Sequence, residues 1–241
     1  MVLLINIFAA LATGGAVVAG QYLGQKNKEQ ACKSTTQLMW SMGFISLVIT
    51  AFVYACKYWI LHGVFGQIEA DVMHHADVYL LIVTASIPFI ALYNGGAAVF
   101  RAMGNSEVSM KVSLLMNAIN VSGNAILIYG FHCGTEGVAI PTLVSRFVAA
   151  FIIIKLLLKD KWSLHLERTY RFNPDWSMIR KILSVGIPNG LENSMFQLGK
   201  LAIQSTVSTL GTAAIAAQAM TNILENLNGI AAIGVGVGLM T

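Results

Sequence analysis

Apolar residues fill seven long runs of the chain, at roughly 2–23, 35–61, 77–101, 108–130, 137–158, 186–209 and 212–240. Short polar joins separate them, apart from one longer polar stretch at 159–181. A helix needs about 20 residues to cross the hydrocarbon core of a bilayer, so every run is long enough. Inside a bilayer the backbone must satisfy its own hydrogen bonds, which makes each run a predicted helix. The pattern therefore predicts an all-α fold, a polytopic transmembrane bundle of about seven spans.

Composition narrows the function class. Of 241 residues, 56% are hydrophobic and only 11% are charged, with a mean hydropathy of +0.69. Ordinary soluble domains carry about 25% charge. The balance excludes a soluble enzyme, a nucleic-acid binder and a disordered chain, and makes the lipid bilayer the expected environment. Cys32, Cys56 and Cys133 form no C-x-x-C and suggest neither a disulfide framework nor a zinc site.

The net charge of +4 is small, but its placement is informative. Lys26, Lys28 and Lys33 lie between the first two runs, and Arg101 and Lys111 flank the third join. Lys155, Lys159, Lys161, Arg168, Arg171, Arg180 and Lys181 surround the fifth. The other joins, at about 62–76, 131–136 and 209–212, contain no Lys or Arg. This alternation predicts a multi-pass plasma-membrane protein with the basic joins in the cytoplasm, the N-terminus of this chain outside and its C-terminus inside. An exported first residue without a basic leader region suggests a further helix upstream. The sequence also stops within an apolar run, so it reads as a piece of a longer transporter.

Within 159–181, Asn173-Pro174-Asp175 has the order of a helix start: cap, proline at the first position, acid in the first turn. Trp176, Ile179 and Leu183 then share a face, which predicts a short interfacial helix broken by Gly186-Ile187-Pro188.

Polar groups inside a span are expensive and are candidate functional sites. In the sixth run Asn193, Gln197, Lys200 and Gln204 fall on one helical face, with Glu192 beside it. Glu192 and Lys200 are roughly 12 Å apart along the axis, too far for a direct pair. In the seventh run Gln218, Asn222, Glu225, Asn226 and Gly229 form a stripe. Such stripes serve either as a hydrated cation site or as hydrogen-bond glue between helices. The amides suit glue, and Glu192 and Glu225 suit function. Lys200 is a candidate to neutralise one of them. Asn117, Asn120 and Asn124 make a polar seam in the fourth run. Tyr93-Asn94-Gly95-Gly96 in the third either lines a cavity or packs closely at its glycines.

Motifs for a serine hydrolase, a zinc protease or a P-loop are absent, so no enzyme activity, cofactor or ATP-driven pumping is expected.

Several segments together resemble one family. Phe100 to Asn105, Asn120 to Asn124 running on to Tyr129-Gly130, and Gly137 to Pro141 are similar to the signature of multidrug and toxic compound extrusion (MATE) proteins. Phe172 to Asp175 followed by Gly186-Ile187-Pro188 resembles the linker between that family's two six-helix halves, and Thr13 to Gly20 with Gly24 resembles its second helix. The resemblance spans essentially the whole chain and implies family helices two to eight. By it, 1–158 is most of a first bundle (five spans), 159–185 a cytoplasmic linker with its interfacial helix, and 186–241 the first two spans of a second bundle.

The implied activity is export of drugs or organic cations in exchange for Na⁺ or H⁺, by a protein monomeric at full length, with no nucleic-acid partner. The family's asparagine pair matches Asn120 and Asn124, although some members have Asp at the second position. Its first-helix Asp would precede Met1. Where other members place a Glu after the linker proline this chain has Phe196, and Glu192 one turn earlier is a substitute. The candidate binding residues are thus Glu192, Glu225, Gln197, Lys200, Asn120, Asn124, Asn222 and Tyr93. Two alternatives stand beside antiport. One is a lipid-linked sugar flippase, which would want basic groups such as Lys200 and Arg146. The other is a remnant that does not transport.

Overall fold

The computed structural model describes residues 2–57, 70–131, 134–159, 161–166, 175–208, 217–218, 220–225, 229 and 234–235. Among these the regular structure is helical, with no strand. In chain order the long helices are α1 (Val2–Gly24), α2 (Lys28–Ala55), α3 (Ala70–Ala85), α4 (Ile87–Ala102), α5 (Ser106–Ala125), α6 (Glu136–Leu157) and α7 (Trp176–Ser208). A π-helical turn, Ile126–Gly130, continues α5.

Five helical segments are long and apolar enough to cross a membrane: Ile5–Gly24, Lys28–Ala55, His75–Ala102, Ser106–Gly130 and Glu136–Leu157. They correspond to the first five apolar runs. The third is α3 and α4 together, broken at Ser86 because Pro88 brings no N–H to the ladder. The expected sixth span does not meet the same test, since Asn189, Glu192, Asn193, Gln197 and Lys200 dilute its apolar content. The expected seventh, 212–240, lies largely outside the described residues.

The region around residue 186 also departs from expectation. The interfacial helix and the sixth run form one continuous helix, with Pro188 inside it. Its 33 residues extend about 50 Å, longer than the ~30 Å hydrocarbon core, so the helix reaches beyond it. Asn173 and Pro174 lie outside the described residues. The cap is made by Asp175, whose Oδ1 accepts the N–H groups of Ser177 (3.1 Å) and Met178 (3.3 Å).

Two basic joins are built alike. After α1, Asn27 N–H donates to Tyr22 O and Lys26 N–H to Leu23 O; after α4, Asn105 N–H donates to Phe100 O and Gly104 N–H to Arg101 O. This is the Schellman closure, which needs a left-handed residue. Gly104 supplies it at φ +73, whereas Lys26 does so at φ +61. A side chain in that conformation costs about 1–2 kcal/mol. Lys26→Gly is therefore expected to raise thermal stability, with no new contact, in a melting experiment on the purified chain.

The core lies where α1, α2, α4 and α6 meet. Phe8, Leu38, Met42, Ile87, Phe100 and Ile153 are fully buried there, joined by Leu164 of the linker and Ile182 of α7. Phe44, Phe52, Tyr129 and Phe131 face outward, as a lipid-facing surface requires. Gly95 and Gly96 prove to be packing positions: a Cβ on Gly96 would meet Ile153 at 2.8 Å, and one on Gly95 would meet Met39 Sδ at 3.1 Å.

Lys33, near the start of α2, pairs with Asp175, which lies outside the five membrane-crossing segments at the start of α7, Nζ to Oδ2 2.7 Å. The Lys33 hydrogen bond, with the two capping N–H bonds, holds the Asp175 carboxyl below its usual pKa. A depressed carboxylate contributes stability above its ordinary pKa and loses it as pH falls through the folded value. Acidification below the carboxylate range is therefore expected to loosen the first turn of α7, read as faster amide exchange at Ser177 and Met178. Asp175→Asn should show that faster exchange at neutral pH.

Candidate functional site: two polar seams

The first seam joins α5 to α6. Asn120 Nδ2 donates to Thr142 Oγ1 at 3.1 Å, and Asn124 Nδ2 donates to Asn120 Oδ1 at 3.2 Å. Thr142 in turn donates to Val138 O, one turn back on α6. Close approach makes this possible: a Cβ on Gly123 would lie 2.8 Å from the Pro141 ring. Asn120 thus ties α5 to α6, and Asn124 extends the polar seam along α5. One acceptor is left over, because Asn124 Oδ1 is buried without a partner. An orphaned buried oxygen is costly and is a natural place for an ion or water.

One turn along α6 from Thr142 stands Arg146. Its Nη1 donates to Ser86 Oγ at 2.6 Å, and Ser86 Oγ donates to Val83 O at 2.6 Å. A guanidinium in mid-span is thereby pinned to the break between α3 and α4. Phe147 supports it by meeting Phe89 edge-on at 5.1 Å. In the sequence Arg146 stands out only as a basic residue within a span, and Ser86 and Thr142 do not stand out at all. Thr142 and Arg146 lie at i and i+4 in an apolar run, which was the available signal.

The second seam belongs to α7 and the helical residues 220–225. Lys200 Nζ reaches Glu225 Oε1 at 3.3 Å and lies over the Phe196 ring at 5.1 Å. The pair is about half exposed, with side-chain accessibilities of 42% and 57%. Lys200 therefore neutralises Glu225, not Glu192. Glu192 is exposed and makes no hydrogen bond or ion pair among the described residues. Asn193 is satisfied locally, donating to Asn189 O at 2.9 Å. Gln197 is half-buried and Asn222 exposed. Tyr93 is buried in the core between helices.

The two seams are not brought together. α7 packs on α1 and α2, and no contact joins it to α5 or α6 among the described residues. The α1–α7 crossing is tight: a Cβ on Gly14 would lie 2.7 Å from Gly186 N, 2.8 Å from Ile182 O and 2.9 Å from Gly186 Cα. The joint between the first bundle and the start of the second stretch is thus backbone against backbone. No group of three or more His, Cys, Asp or Glu poised for a metal occurs among the described residues.

Comparison with known proteins places this arrangement. The chain is 28% identical over 225 residues to the uncharacterized transporter YisQ of Bacillus subtilis, covering 91% of this chain and 48% of that protein. It is 25% identical over 244 residues to the probable multidrug resistance protein NorM of Thermotoga maritima, covering 98% and 51%. It spans about half the length of these curated relatives. The fold matches the outward-facing conformation of a multidrug resistance MATE family transporter of the MOP superfamily with a TM-score of 0.88 and 22% identity, over 98% of this chain and 52% of that one. Against the inward-facing conformation the TM-score is 0.78, also at 22% identity, over 95% and 52%. The MatE family model matches residues 1–126, more than half of the chain, and with five helices suited to crossing a membrane, the chain is a multi-pass membrane protein that belongs to the MatE family.

Proposed function

We propose that this chain works as part of a longer secondary antiporter that exports drugs or organic cations in exchange for Na⁺ or H⁺. The relatives' names as multidrug resistance and multidrug export proteins favour that cargo class. The observation that carries the reading is the Lys200–Glu225 pair, 3.3 Å apart and half open to its surroundings. A carboxylate held by a tethered ammonium offers a cation site with a built-in competitor. An incoming organic cation, a proton or Na⁺ displaces Lys200, and its departure lets Lys200 return. Glu192, exposed on α7, is a second cation-attracting group. The bundles rock around this midplane region, with the basic joins cytoplasmic, and the close α1–α7 crossing is the pivot.

The test is transport by a version of the protein extended at both ends and reconstituted in liposomes. An imposed Na⁺ or H⁺ gradient is expected to accelerate movement of ethidium, and the isolated chain should move none. Ethidium movement indifferent to both gradients would refute cation coupling. No movement by the extended protein would favour the remnant reading.

A further inference from the structure

A groove of about 400 Å³ lies between α2 and α7, next to the Lys33–Asp175 pair. It is lined by Gln37, Trp40, Ser41, Phe44 and Ile45 on one side and by Trp176, Ile179 and Leu183 on the other. Its walls are almost wholly apolar and it is open along one side. From Trp176 to Leu183 is about 10 Å of helix rise, so the groove begins at the basic end of the bundle and descends into the hydrocarbon region.

Its mouth is marked in two ways. Trp176, at the start of α7, is 75% exposed, the placement of tryptophan at a membrane interface. Arg180 is exposed, follows Trp176 by one turn on the same side of α7, and has no ion pair among the described residues. Lys181 beside it donates to the Tyr22 hydroxyl at 2.9 Å. Lys33 pairs with Asp175, and with Arg180 and Lys181 the described residues of the mouth are net positive above an apolar slot. A groove of that form fits one ligand chemistry, a phosphate on a long alkyl chain.

We propose that the α2–α7 groove is a binding site for an anionic membrane phospholipid, with an acyl chain along Trp40, Phe44 and Leu183 and its phosphate on Arg180. The bound lipid bridges the first bundle and α7 beside the Gly14–Gly186 crossing. This site is independent of the cation-coupled reading.

The experiment is fluorescence quenching in nanodiscs, with Trp59 and Trp162 replaced by Phe so that Trp40 and Trp176 report. Brominated phosphatidylglycerol in a phosphatidylcholine background is compared with brominated phosphatidylcholine at equal fraction. One basic group near the surface favours anionic lipid by about five-fold, so the glycerol lipid should occupy the site about five-fold more strongly. Arg180→Gln should abolish that preference and Arg180→Lys should keep it. Ser41→Phe, which fills the slot, should reduce quenching by both lipids. Equal quenching by the two lipids, a preference that survives Arg180→Gln, or quenching untouched by Ser41→Phe would overturn the proposal. So would quenching that falls as more copies of the chain share a disc, which would show a second copy in the groove.

Discussion

Gly14→Ala is expected to push α1 and α7 apart, and Gly14→Val to prevent their crossing. The new Cβ would sit 2.7–2.9 Å from backbone atoms of Ile182 and Gly186. Most crowded positions yield by turning a flexible side chain, but here the opposing atoms are main chain on a helix. The approach is equally close from the other side, where a Cβ on Gly186 would meet Leu11 Cα at 3.1 Å. Overpacking of this kind costs about 1–3 kcal/mol, and more when nothing can relax. The contrast is Gly24→Ala, where nothing lies within 4 Å and a small gain from helix propensity is expected. Thermal melting in detergent compares the variants. A Gly14→Val protein as stable as the parent, with Trp176 fluorescence unchanged, would mean that the crossing is looser than described.

The second large effect concerns affinity. In the proposed exchange Lys200 competes with the cargo for Glu225, so the two residues should respond in opposite directions. Glu225→Gln removes the attracting charge and should weaken binding of an organic cation. Lys200→Met removes the competitor and should tighten it. Couplings between linked sites usually amount to about 5- to 150-fold in affinity, and changes of that order are expected in an equilibrium binding assay on the extended protein. Affinity that moves the same way in both variants would rule out the competition.

Much of this was legible in the chain. The first five apolar runs became the five membrane-crossing segments because length and backbone hydrogen bonding leave helix as the one solution in lipid. The polar seam of Asn120 and Asn124 was readable because an i, i+4 pair must share a face. The region near Gly186 was misread for a physical reason. Proline and glycine are local breakers, but α1 packs against Gly186 and Gly190 and holds the helix through Pro188. The partner of Lys200 was a matter of tertiary placement: Glu192 shares its helix, yet Glu225, distant in sequence, shares its space. Arg146 was visible as a charge, but only the fold shows that it reaches the α3–α4 break. Membership of the MatE family was readable from the order and spacing of several weak motifs, none of them decisive alone.

The central claim is that carboxylates on α7 and its partner segment couple cargo to a cation. It is tested most directly by measuring ethidium efflux from liposomes holding the extended protein, across a range of pH and Na⁺, for the parent, Glu192→Gln and Glu225→Gln. The account predicts that each substitution abolishes or shifts the pH or Na⁺ dependence seen in the parent. Dependence on pH and Na⁺ that is unchanged in both variants would contradict it.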